Sequence, residues 1–134
     1  MIVVSTEIVA ALYLPGDLTE IAEAVLLRDP HWCSPMIWRA LLPHHLSEPI
    51  RSGAISREIA DMIVRAAPSL FLSREFPSPL HDNMQFIHDS RCSAFIAPFL
   101  DLARGLGVRL ITTDRMALED FPDIAQSAAE FAAQ

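Results

Sequence analysis

Cysteine is scarce: Cys33 and Cys92 are the only two in 134 residues. Two thiols cannot staple a small scaffold, and no Cys-x-x-Cys pair points to a zinc or redox site. Both are read as reduced and largely buried. Basic tracts are absent as well. The formal net charge is −7 and the isoelectric point about 5.0, with no run of five or more cationic residues. A protein that holds nucleic acid by neutralising phosphates carries a basic patch. Pure RNA binding is therefore disfavoured, whereas a nuclease that grips phosphate through a bound metal is not. No apolar stretch approaches the roughly 20 residues of a membrane span. Met1 to Glu7 lacks a basic flank, and Glu7 interrupts its apolar run, so no signal peptide is expected. The expectation from these absences is a cytoplasmic protein that does not engage the membrane.

Apolar surface is plentiful. Hydrophobic residues make up 51%, charged residues 20%, and mean hydropathy is +0.30. This argues against disorder and for one domain, residues 1–134, with a real core. Ile2, Val3 and Val4 form a β-branched run suited to a buried strand of a parallel sheet, with Ser5 and Thr6 at its carboxyl end. Asp17 and Glu20 resemble a capping box. Leu18, Ile21, Ala22, Val25 and Leu26 then repeat with helical spacing up to Asp29-Pro30. His31 to Ser34 is a candidate second strand.

From Met36 the pattern is helical towards Gly53, but Pro43 and Pro49 lie inside it. An interior proline costs roughly 3 kcal/mol, which predicts a kinked or divided helix. Ser56 reads as an N-cap, followed by Ile59, Met62, Ile63, Ala66 and Leu70 at helical spacing, with Pro68 fraying the end. Arg74 to Pro79 is a connection and His81 to Asp89 a short helix. Ser93 caps an all-round apolar stretch from Ala94 to Leu106, with Pro98 tolerated in its first turns and Gly107 ending it. Arg109 to Thr112 reads as a strand, followed at once by Asp114. The tail after about residue 122 is alanine-rich and read as helical or loose. Strand, helices, then strand, with polar residues at the strand ends, describe an α/β domain with its site at the carboxyl ends of parallel strands.

Four segments, in this order and spacing, resemble the PIN-domain family, especially its VapC-type toxin ribonucleases. They are Ile2-Val-Val-Ser-Thr6, Trp38-Arg-Ala-Leu-Leu42, Cys92-Ser-Ala-Phe-Ile-Ala97 and Leu106-Gly-Val-Arg-Leu-Ile-Thr-Thr-Asp114. The match spans roughly residues 1–118. The resemblance implies a PIN-like three-layer sandwich, a central mainly parallel sheet flanked by helices. It also implies clustered carboxylates that hold Mg²⁺ or Mn²⁺, activate water and steady the charge developing on phosphate. Carried over position by position, the cluster is mostly gone. Ser5 stands where the first aspartate is expected, Leu41 where the glutamate is, and Ile96 where the middle aspartate is, with Phe95 in a tyrosine's place. Asp114 alone is retained, with Thr112 matching before it. Thus three of four expected carboxylates are replaced.

Glu7 is the best substitute acid, two residues past Ser5. Asp101, five residues after Ile96, points to another helix face, and Asp89 and Glu48 have no geometric claim. Asp114 is read either as a remnant metal ligand or as an N-cap of Arg115 to Leu118, and the two are compatible. As a lone carboxylate it needs solvent, a cap or a partner such as Arg39 or Arg115. Ser5, Thr6 and Thr112 are supporting ligands or strand-end hydrogen-bonders. His44 and His45 point about 100° apart on a helix and chelate poorly. Trp32 and Trp38 form either a base-stacking platform or, more simply, packing in the core or a dimer interface.

The leading expectation is a PIN-like pseudoenzyme whose nuclease activity is lost or strongly reduced. Its residual role would be interaction: homodimerisation, binding of an antitoxin-like protein, or weak RNA contact. The alternative is an active Mg²⁺- or Mn²⁺-dependent endoribonuclease toxin using Asp114 with Ser5 and Glu7. A third reading, altered residues and little remaining function, fits the interior prolines.

Overall fold

Side chains alternate between two faces along every central strand, and that alternation divides the core in two. In the computed structural model, which describes residues 1–134, β1 (Ile2–Val4), β2 (Trp32–Pro35), β3 (Glu75–Phe76), β4 (Leu110–Thr112) and β5 (Ala125–Ser127) form one sheet in the order β3-β2-β1-β4-β5. All four pairings are parallel, so the sheet is fully rather than mainly parallel. Ile2, Val4, Trp32 and Ile111 face one core cluster, while Val3, Cys33, Leu110 and Ala125 face the other. A parallel sheet needs cover on both faces. Here α1 (Thr6–Tyr13), α2 (Thr19–Arg28), α3 (Trp38–Arg51), α4 (Arg57–Ala66) and α8 (Ala128–Ala133) cover the first face. On the second lie α5 (Leu80–Asp89), α6 (Ala97–Leu106) and α7 (Arg115–Asp120). The architecture is an α/β three-layer sandwich. No helix is long and apolar enough to cross a membrane.

The helix that follows β1 has no periodic signature. Residues 8–12 of α1 are apolar without interruption, which conceals its helical period. The capping box at Asp17 does not form: α2 begins at Thr19 behind Leu18, and Thr19 Oγ1 donates instead to the Leu14 carbonyl at 2.8 Å. Prolines 43 and 49 do not divide α3, which runs unbroken over 14 residues. Trp38, Leu42 and Leu46 explain this: spaced four apart, all three are buried in the first core cluster. Pro43 lies on the exposed side, where water can serve the carbonyl it leaves unpaired. Trp38 packs on Phe71 with ring centroids 4.7 Å apart, and Trp32 is completely buried, so neither is a surface platform for bases.

On α4 the buried residues are Ala60 and Ile63, continued by Ala67, whereas Ile59 and Met62 point outward. Ser56 does cap this helix, accepting from the Ile59 amide at 3.2 Å. Ser93 accepts from the amides of Phe95 and Ile96, both at 3.3 Å, but closes only a turn, and α6 starts later, at Ala97. Gly107 ends α6 with φ 67°, a left-handed conformation that suits glycine. The connection after Arg74 contains β3, and the tail after residue 122 forms β5 and α8 rather than a loose end. β5 is held by its register against β4, and Ser127 caps α8 through the Glu130 amide at 3.1 Å. Both cysteines are buried and unbonded.

The packing on α4 gives a direct test. Ile63→Ala is expected to cost about 2–5 kcal/mol, whereas Met62→Ala should stay within about 0.5 kcal/mol of the parent. Urea denaturation of both variants reads the difference. Equal losses would mean that the other stripe of α4 faces the core.

Candidate functional site

Strand order reverses between β1 and β4: the chain fills one side of the sheet through β2 and β3, then returns to β4 and β5 on the other. At such a switch point the loops after neighbouring strands diverge and open a crevice at the carboxyl ends. The residues there are Ser5, Thr6 and Glu7 after β1, and Thr113 and Asp114 after β4. A cavity of about 500 Å³ opens above them. Leu41, His44 and His45 on α3 form one wall. Phe95 and Ile96, before α6, and Phe99 form the other. The segments flagged in the sequence therefore converge on one place, including Leu41 and Ile96, where carboxylates were expected.

Glu7 enters the site and organises it. Its Oε1 lies 2.6 Å from Ser5 Oγ, 3.1 Å from Thr112 Oγ1, 2.9 Å from the Thr113 amide and 3.0 Å from Thr113 Oγ1. Ser5 Oγ also reaches the Ile111 carbonyl at 3.2 Å. One carboxylate oxygen thus gathers the polar groups at the ends of both central strands. Thr112 Oγ1 in turn accepts from the Asp114 amide at 3.0 Å. Ser5 and Thr112 are buried, so without these contacts they would leave desolvated hydroxyls. Thr113 was not singled out in the sequence, although its place between Thr112 and Asp114 at a strand end was the available signal.

Of the two readings of Asp114, the cap is observed: its Oδ1 accepts from the Ala117 amide at 2.8 Å at the start of α7, and the residue also lines the cavity. Neither suggested arginine pairs with it. Arg39 binds Glu75 through two contacts of 2.9 Å, and Arg115 binds Glu119 at 2.7 Å. Asp101 lies on another face near Arg104, 3.8 Å away.

His44 and His45 both line the cavity, their ring centroids 5.7 Å apart. Burial lowers the pKa of His45 below its ordinary value. The Glu7 carboxylate partly offsets that, and His44 adds to the lowering. Burial thus disfavours the charged imidazolium of His45.

The carboxylates lining the cavity are those of Glu7 and Asp114, with Ser5, Thr6, Ser93 and Thr113 as the hydroxyl residues beside them. Leu41 and Ile96 supply neither, and no group of three or more His, Cys, Asp or Glu side chains converges anywhere in the molecule. The donors do not fit a multi-carboxylate Mg²⁺ or Mn²⁺ cluster, because the opposite walls are hydrocarbon and Glu7 Oε1 is already committed to protein donors.

Two measurements follow from this geometry. Glu7→Ala strips the acceptor from buried and half-buried donors and should destabilise the fold by about 1–3 kcal/mol, with Glu7→Gln milder because it keeps a carbonyl oxygen. For His45, a folded-state pKa below the unfolded one means that the unfolded chain takes up the proton more readily. Its contribution to stability is complete above the ordinary value of 6.5 and is lost as pH falls from there towards the folded-state value. Thermal midpoints between neutral and mildly acid pH should fall less in His45→Gln than in the parent. Parallel curves would exclude His45 as the origin.

No family model matches this chain, and no protein of curated function matches it in sequence. Among solved structures, the crystal structure of PAE2754 from Pyrobaculum aerophilum resembles it with a TM-score of 0.74 at 17% identity, covering 99% of this chain and 97% of that one. At that identity the likeness speaks for the fold alone, an α/β architecture shared from end to end.

Proposed function

We propose that this chain is a PIN-like protein in which the nuclease centre has become a binding pocket, and that it works through interaction rather than RNA cleavage. One observation carries the reading: Leu41 and Ile96 line the same cavity as Ser5 and Asp114. The four positions at which the resemblance expects carboxylates meet in space, and three of them carry none. A hard divalent cation needs oxygen ligands around it, and hydrocarbon on two walls supplies none. Phosphate binding is also poorly served, since none of the ten arginines lines the cavity and the chain has no lysine. The partners under this reading are a second copy of the chain and a small antitoxin-like protein, with RNA contact weak.

A second reading has one observation in its favour: Glu7 reaches the pocket beside Asp114. Mg²⁺ sites are often built on one or two carboxylates completed by waters and substrate phosphates. Under that reading the chain is an Mg²⁺- or Mn²⁺-dependent endoribonuclease with Ser5, Glu7 and Asp114 as metal ligands.

Calorimetric titration of Mn²⁺ at low salt and neutral pH separates the two. The variant is Asp114→Asn, which keeps an acceptor for the Ala117 amide and so preserves the cap. The expected result is no saturable metal heat in either protein and no Mg²⁺-dependent cleavage of structured RNA. Saturable binding and cleavage in the parent, both abolished in Asp114→Asn, would establish the endoribonuclease instead.

A further inference from the structure

We infer that the pocket binds a small amphiphile with one primary ammonium head and an apolar alkyl or aryl body. The inference deepens the binding role proposed above and rests on it. The first argument is charge. Glu7 and Asp114 line one cavity, and neither takes part in any ion pair of the structure. All protein hydrogen bonds to Glu7 fall on Oε1, and the one to Asp114 falls on Oδ1. Glu7 Oε2 and Asp114 Oδ2 therefore have no protein donor. Arg39 and Arg115 are occupied by Glu75 and Glu119, and burial disfavours the charged form of His45. A cation from outside is the complement this pocket lacks.

A third unsatisfied oxygen narrows the head group. Thr6 is 2% exposed and lines the same cavity, and its Oγ1 is buried without a hydrogen-bond partner. A buried hydroxyl left unpaired is costly, and this one marks a polar spot beside the two carboxylates. A primary ammonium brings both charge and three donors to the carboxylate oxygens that have no protein donor, Glu7 Oε2 and Asp114 Oδ2. A quaternary ammonium brings charge without donors, and an alcohol brings a donor without charge.

The walls choose the body. Leu41, Ile96 and Phe99 present hydrocarbon, and Phe95, 64% exposed, stands among the lining residues as an aromatic still open to solvent. The volume of about 500 Å³ falls within the range of roughly 300–1,000 Å³ typical of small-molecule sites. An apolar body here removes water from both ligand and wall, while two carboxylates at the strand ends orient the head.

The test is calorimetric titration of the full chain with 2-phenylethylamine, 2-phenylethanol and trimethyl(2-phenylethyl)ammonium at neutral pH. The expected result is saturable binding of the amine, at least tenfold weaker binding of the other two, and at least tenfold weaker amine binding by Asp114→Asn. Ile96→Ala, which leaves both carboxylates intact, should weaken the amine several-fold. Absence of amine binding, equal binding of the alcohol, or unchanged affinity in Asp114→Asn would each overturn the inference. A Mn²⁺ titration of the same samples keeps the two proposals apart. No heat from amine or metal overturns the amine site and leaves the loss of the nuclease centre standing. Metal heat without amine heat overturns both.

Discussion

The carboxylate of Glu7 ties the carboxyl ends of β1 and β4 together, and the geometry of the site depends on that tie. The two strands pair along Val3–Leu110 and Val4–Ile111. Beyond the last pair the backbones separate, one into α1 and the other towards α7. Where strands part, their polar groups lose ladder partners and need new ones. Glu7 Oε1 supplies an acceptor for the hydroxyls of Ser5, Thr112 and Thr113 and for the Thr113 amide. Thr112 then passes the constraint on by accepting from the Asp114 amide. Asp114, held at the start of α7, caps that helix and faces the cavity. A single acid thus sets the position of the other.

Under the proposed reading, that chain of contacts lets the site keep its shape without a four-carboxylate cluster. Carboxylates crowded around an absent metal repel one another, and their burial is expensive. Leu41 and Ile96 bring no charge to the cavity and pack with the second core cluster. The two acids of the pocket both have work to do in the fold itself, Glu7 as a knot between strands and Asp114 as a helix cap.

Much of the fold was legible because tertiary burial and local pattern agree. The β-branched run at Ile2 to Val4, the strand before Thr112, the serine cap at Ser56 and the glycine stop at Gly107 all carry signals that a short window contains. What escaped has physical reasons. The apolar run in α1 hides its period. The prolines of α3 argue for a break, yet the buried face of Trp38, Leu42 and Leu46 outweighs two missing donors. β3 has two residues and β5 reads Ala-Gln-Ser, neither with intrinsic strand preference, so both exist only by pairing with a neighbour already in place. On α4 the spacing marked a stripe one residue away from the buried one, because apolar residues occur on both faces. The site was legible as a set of positions: Ser5, Leu41, Ile96 and Asp114 converge. Glu7 was harder, since only the bend after β1 decides whether its side chain turns back over the strand end.

The sign of the pocket's charge then has a structural origin. Glu7 and Asp114 are not held in place by a bound cation alone. Each instead satisfies backbone amides through one oxygen, Glu7 that of Thr113 and Asp114 that of Ala117, and turning either into hydrocarbon would orphan those donors. Each carboxylate also has a second oxygen that the fold does not use. A crevice at the switch point of a parallel sheet, walled by leucine, isoleucine and phenylalanine, therefore has two half-used carboxylates as a consequence of the fold itself. Its preference for a cation with an apolar body follows from the same hydrogen bonds that hold β1, β4 and α7 in place.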